Sequence, residues 1–142
     1  MKICLVNPPV NPYFAALDFP VALLILGAMA RKWNCETEII DFNLLTKIDP
    51  HYPLCDSFFP AATERIGRNR PDLIGITCLS SSLPFALEIS ERYKGWDPKV
   101  KILLGGPQAT LLGSLLLERY PFVDMVCRGE GEETLRDFLA ND

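Results

Sequence analysis

Residues 72–107 read DLIGITCLSSSLPFALEISERYKGWDPKVKILLGGP, and this stretch decides the fold class. Leu73–Cys78 and Val100–Leu104 are short runs dominated by Ile, Val, Leu and Cys, the pattern of strands covered on both faces. Between them, Pro84–Tyr93 carries Phe85, Leu87, Ile89 and Tyr93 as one apolar stripe, with Glu88, Glu91 and Arg92 left for water. Strand, surface helix and strand in this order predict a right-handed crossover between parallel neighbours.

The alternation continues in both directions. Further strands are expected at Lys2–Asn7, Glu36–Asp41 and Asp124–Cys127. Further helices are expected at Val21–Trp33, about Ser57–Asn69, Ala109–Arg119 and Glu132–Leu139. Together these predict an α/β, Rossmann-type, doubly wound sheet of five parallel strands in the flavodoxin-like order 2-1-3-4-5. Residues 1–142 are expected to form a single domain. Phe19–Ala30 is too short for the roughly 20 residues of a membrane span, and is expected to be a helix buried on nearly all sides. Leu45–Ser57, with Pro50, His51, Pro53 and Cys55, is the one irregular connection; its sequence leaves open whether it is functional or mobile.

Composition narrows the function classes. The chain is 49% hydrophobic and 23% charged, as an ordinary globular domain is. The net charge is −4 and no stripe of Lys or Arg occurs, which argues against a nucleic-acid partner. The five cysteines include no C-x-x-C pair, so neither a disulfide framework nor a zinc knuckle is indicated. Cys4, Cys78 and Cys127 lie in apolar runs and read as small hydrophobes. The apolar stretch before Asn7 is too short for a signal-peptide core. A reducing cytoplasm without a membrane partner is the expectation.

In such a sheet, ligands bind beyond the carboxyl ends of the strands. Asn7-Pro8-Pro9 follows the first strand, and its prolines remove two backbone donors from that loop. It also lacks G-x-G-x-x-G and the P-loop pattern, so dinucleotide and NTP binding lose support. The third strand ends in Thr77-Cys78-Leu79-Ser80-Ser81-Ser82, more hydroxyls than a helix cap needs. The fourth ends in Gly105-Gly106-Pro107-Gln108, which suits either a tight turn or a slot left clear of side chains. The fifth ends in Arg128-Gly129-Glu130-Gly131-Glu132-Glu133-Thr134. Glu132 and Glu133 suit a helix's first turn, while Glu130 between glycines is free to face a ligand or another domain.

In this order and at these spacings, the loops resemble the N-terminal cobalamin-binding domain of cobalamin-dependent radical-SAM enzymes. Phe19-Pro20, Glu38-Ile39-Ile40-Asp41 and Asp72-Leu73-Ile74-Gly75-Ile76 extend the likeness over almost the whole chain. Residues 72–110 also resemble the cobalamin domain of methionine synthase. That likeness implies a slot for the nucleotide tail, with Thr77, Leu79, Ser80 and Ser81 on one wall and Gly105 and Gly106 on the other. Asn7, Pro8, Pro9, Pro107, Gln108, Gly129, Glu130 and Gly131 complete the implied cofactor-binding set.

Two departures qualify the likeness. The D-x-H-x-x-G motif that gives methionine synthase its axial histidine is missing after the first strand, and the sole histidine, His51, reads as an exposed loop residue. The radical-SAM motif C-x-x-x-C-x-x-C is also absent. The resemblance therefore implies a non-catalytic module with no metal ligand of its own, holding cobalamin base-off. SAM and a [4Fe-4S] cluster are expected only in a downstream barrel, the module's partner, in an enzyme of methyltransferase type. The alternative is a scaffold of the same fold that has lost cobalamin and contacts substrate or the barrel. A response-regulator receiver would need an acidic pair after the first strand and an aspartate ending the third, where Asn7 and Cys78 stand.

Overall fold

The computed structural model describes residues 1–10, 19–49, 51–52 and 54–141. Its strands are β1 (Lys2–Asn7), β2 (Glu36–Asp41), β3 (Leu73–Thr77), β4 (Lys101–Gly105) and β5 (Met125–Val126). Its helices are α1 (Val21–Lys32), α2 (Phe42–Ile48), α3 (Phe58–Gly67), α4 (Leu83–Trp96), α5 (Pro107–Leu112), α6 (Ser114–Arg119) and α7 (Gly131–Asn141). The five strands are parallel and run in the order β2-β1-β3-β4-β5, as the sequence predicts.

The pleat divides the side chains between two cores. Cys4, Val6, Ile74, Ile76, Ile102 and Leu104 point to one face and pack with residues of α2 to α6. Ile3, Leu5, Leu73 and Leu103 point to the other, under α1 and α7. Because the central strands are covered on both sides, they need no polar alternation. The edge strand β2 is only half-covered, and Glu38 uses its outer side to pair with Arg65 and accept from Asn69 Nδ2 (2.7 Å).

Two polar clamps sit at the amino ends of the strands. Lys2 N donates to Asp72 Oδ2 (2.6 Å), fixing the start of β1 against β3. Asp124 Oδ2 accepts from Lys94 Nζ (2.7 Å) and Ile102 N (2.8 Å), tying α4 and β4 to the approach of β5. Partial burial opposes ionisation of Asp124, but these donors outweigh it and hold the carboxyl below its ordinary range.

Several expectations are corrected. Residues 109–119 are not one helix: Gly113 adopts φ 53° and ψ −128°, which no helix can run through, and α5 and α6 flank it. The irregular connection starts later than expected, since Asp41 caps α2 by accepting from Leu44 N (3.1 Å). Tyr52, in that connection, is buried 5.8 Å from the Phe42 ring. The largest difference is α1. It buries Leu23, Gly27 and Ala30, but Val21, Leu24 and Ile25 are exposed and the preceding Phe19 is 84% exposed. An apolar composition predicts burial; here the outer face of α1 has nothing from the described residues to cover it.

Candidate functional site

Glycines at the carboxyl ends of the strands shape the site. Gly106 has φ 91°, the left-handed region that favours glycine, and a Cβ there would lie 2.8 Å from Thr77 Oγ1 and 2.9 Å from Cys78 N. This close approach lets the loops after β3 and β4 bond to each other. Cys78 N donates to Gly105 O (2.7 Å), and Gln108 N donates to Cys78 O (3.0 Å). Thr77, Gly105 and Gly106, which the sequence reading put on the walls of its slot, border one open space.

That space lies between the sheet and the pair α1 and α7. It is a cavity of about 350 Å³. Leu5, Gly75 and Leu103 stand side by side across β1, β3 and β4 and make its floor. The next row toward the carboxyl ends is Thr77 beside Gly105, with Cys127 beyond. Leu23 and Leu26 of α1 and Leu135 of α7 close it from above. Gly106, Gly129, Glu130, Gly131 and Glu132 complete the lining at the strand ends. A leucine or isoleucine at position 75 would fill the middle of this space, so the cavity exists because β3 carries a glycine there. Gly131 lets α7 approach α1: a Cβ there would lie 3.0 Å from Leu26 Cδ1.

A second cavity of about 340 Å³ opens beside the first, over the carboxyl ends of β1 and β3 where the strand order reverses. Asn7, Asn43, Thr77, Leu79 and Ser81 line it, together with Phe19 and Pro20 and the first turn of α1. Asn7 Nδ2 donates to Asp41 Oδ1 (2.9 Å), which fixes that amide at the rim. Thr77 borders both spaces.

The residues singled out in the sequence divide accordingly. Thr77, Gly105, Gly106, Gly129, Glu130 and Gly131 border the first cavity, and Asn7, Leu79 and Ser81 join Thr77 at the second. Pro8 and Pro9 are buried, Ser80 and Pro107 are exposed, and Gln108 is half-buried; none of the five lines either space. Ser82 is buried, but Leu79 N donates to its Oγ (3.0 Å), so the hydroxyl turns back to its own loop instead of capping α4. The leucines of the sheet, α1 and α7 are lining residues that the motifs did not point to. Gly75 is the signal that could have found them, as a glycine inside an apolar strand.

The cysteines at the site are held in apolar surroundings. Burial pushes the Cys78 thiol up to about 12, so it stays protonated. Cys127 Sγ donates weakly to the carbonyls of Gly129 (3.8 Å) and Glu130 (3.6 Å). His51 is exposed at the surface, with Nδ1 2.8 Å from Asp49 Oδ1. Its backbone N–H, and then its ring, hold the Asp49 carboxyl below the ordinary value. Among the described residues no three His, Cys, Asp or Glu side chains gather where they could hold a metal ion. Nor, among those residues, is any helix long and apolar enough to cross a membrane.

The chain is 29% identical to an uncharacterized methyltransferase of Pyrococcus horikoshii over 98% of its own length and 29% of that protein's. It is 29% identical to the anaerobic magnesium-protoporphyrin IX monomethyl ester cyclase of Rubrivivax gelatinosus over 54% of the chain and 14% of the enzyme. It is 29% identical to the cobalamin-dependent radical SAM methyltransferase TokK of Streptomyces tokunonensis over 49% of the chain and 10% of the enzyme. The chain thus spans less than a third of the length of each of these relatives. Residues 16–139 match the B12 binding domain, and on that match the chain belongs to the B12-binding domain family.

Proposed function

We propose that this chain is the cobalamin-holding part of a larger radical-SAM enzyme of methyltransferase type, with the nucleotide tail of the cofactor in the cavity under α1 and α7. The observation that carries this reading is the floor left bare at Gly75 and Gly105, at the ligand-binding end of a doubly wound sheet. A flat aromatic base needs an apolar space clear of side chains, and the leucines around Gly75 provide one. Thr77, Gly106 and Gly129 stand where the tail would enter, and Asn7, Leu79 and Ser81 would face the amide groups at the edge of the corrin. Bound cobalamin would supply a cobalt centre able to carry a methyl group. This chain's own residues bind it, orient it and keep water from the tail. SAM and the iron–sulfur cluster would come from a barrel domain, and the apolar outer face of α1 beside the site supports contact with such a domain.

No histidine of the chain is expected to reach cobalt, since His51 is held at the surface by Asp49. Bound Co(II) should therefore show no axial-nitrogen splitting in electron paramagnetic resonance, and a nitrogen triplet lost in His51→Ala would refute that assignment. The cavity itself is tested by Gly75→Val. A Cβ at Gly75 lies 3.0 Å from Leu5 Cδ2, and the rest of the valine would occupy the floor. Hydroxocobalamin titration should show binding weakened by at least tenfold, with circular dichroism unchanged. A folded Gly75→Val that binds as tightly as the parent would leave the cavity without this role.

A further inference from the structure

The interior of the first cavity is hydrocarbon. Leu5, Leu73 and Leu103 rise from the sheet, Leu23 and Leu26 come from α1, and Leu135 comes from α7. The backbone of the floor and the thiol beside it already have partners. The peptide groups of β3 and β4 are paired in the ladder, Gly105 O accepts from Cys78 N, and the Cys127 thiol faces two carbonyls. The polar side chains of the lining stand at one end of it: Thr77 in the row next to the floor at the end of β3, and Glu130 and Glu132 around the start of α7.

Resting on the cobalamin reading above, we propose that this cavity selects among corrinoids by their lower base, accepting a benzimidazole and disfavouring a purine. A dimethylbenzimidazole released from cobalt carries one bare ring nitrogen; the rest of it is a ring edge and two methyl groups, which the leucines can cover. Adenine has a similar outline but carries an exocyclic amine and additional ring nitrogens. Those groups would leave water and find neither donor nor acceptor among the leucines. A buried polar group without a partner is costly, whereas one extra methyl in an apolar pocket is not. Shape alone would tolerate both bases; what separates them is that the polar side chains stand at one end and the leucines offer none.

The test is a set of dissociation constants for the 142-residue chain, measured by absorbance titration with three corrinoids. These are cobalamin, its analogue with adenine as lower base, and cobinamide, which has no nucleotide tail. Cobalamin is expected to bind at least tenfold more tightly than the adenine analogue, and more tightly than cobinamide. Equal affinity for cobalamin and the adenine analogue overturns the selectivity while leaving the cobalamin reading intact. Equal affinity for cobalamin and cobinamide shows that the tail makes no use of the cavity, which overturns the selectivity with it. No affinity for any of the three overturns the cobalamin reading itself. Leu135→Gln, checked for folding by circular dichroism, places an amide in the interior and is expected to narrow the gap between the two bases. An unchanged ratio in the folded variant counts against the proposal.

Discussion

On the side of the sheet covered by α2 to α6, aromatic rings lock the space between layers. Phe58 lies edge-on to Phe42 (5.4 Å) and to Phe59 (5.3 Å), and Phe59 stacks on Phe85 (6.0 Å). On the side covered by α1 and α7, the middle of β3 is a glycine and the residues around it are leucines bordering a cavity. Both faces belong to the same strands and alternate residue by residue along them. One is built as a solid; the other keeps a volume free. Burial of the backbone is common to both, so what separates them is side-chain volume at a few positions, chiefly 75 and 105. A sheet can thus hold its stability on one side and its ligand on the other.

The strongest test of this division is Phe58→Ala. Phe58 is almost fully buried, and its loss should cost about 3–5 kcal/mol in urea denaturation. Leu103→Ala on the other face should cost less, about 2 kcal/mol, because the new space joins an existing cavity instead of opening one in packed surroundings. Equal penalties would mean that the faces are packed alike.

Asp124 serves the solid face, where it joins α4 to β4. Asp124→Asn should cost about 1.5 kcal/mol at neutral pH, in the range for hydrogen bonds to a charged group. Its folded carboxyl titrates below the ordinary value of about 3.9. The stabilisation is therefore complete above that value and disappears as the pH falls through the folded one. Parent and variant should converge in acid, and a gap that persists there would show that charge is not what Asp124 contributes. The smallest effect is expected where a large one would normally arise. Adding an isopropyl group at a strand glycine in a packed core costs about 1–3 kcal/mol. Gly75→Val should instead stay within about 1 kcal/mol of the parent, since its one close contact is the movable end of the Leu5 side chain (3.0 Å) and the rest faces the cavity. A melting temperature that collapses would show that the floor is already full.

The sheet is legible in the sequence because burial on both sides forces unbroken apolar runs. Lys2–Asn7 and Glu36–Asp41 stand where the patterning puts them. Short or interrupted elements are harder to read. β5 shrinks to Met125–Val126, and Gly113 breaks a helix whose apolar pattern runs through it. The outer face of α1 escapes for another reason: composition reports that a surface is apolar, not what covers it. Much of the rim of the site is readable, because glycines and hydroxyls at strand ends are unusual enough to stand out. The cavity beneath is not, because a leucine that borders a void looks the same in sequence as one that fills a core. Gly75 alone breaks the pattern, and it sits between two isoleucines that disguise it.

The strand order also governs how the chain reaches its native state. All four pairings are parallel, so none can close as a hairpin, and each must wait for an intervening helix. The ladder between β1 and β3 is the most demanding, since it brings Lys2 and Asp72 together across 70 residues. The entropy of closing that loop is lost before any contact repays it. β1 therefore waits through that span of chain before β3 covers its second edge, and its apolar run Ile3–Val6 stays available to other chains until then. Folding should be slower than in a helical bundle of similar length, and synthesis at low temperature with few chains per cell should favour soluble product.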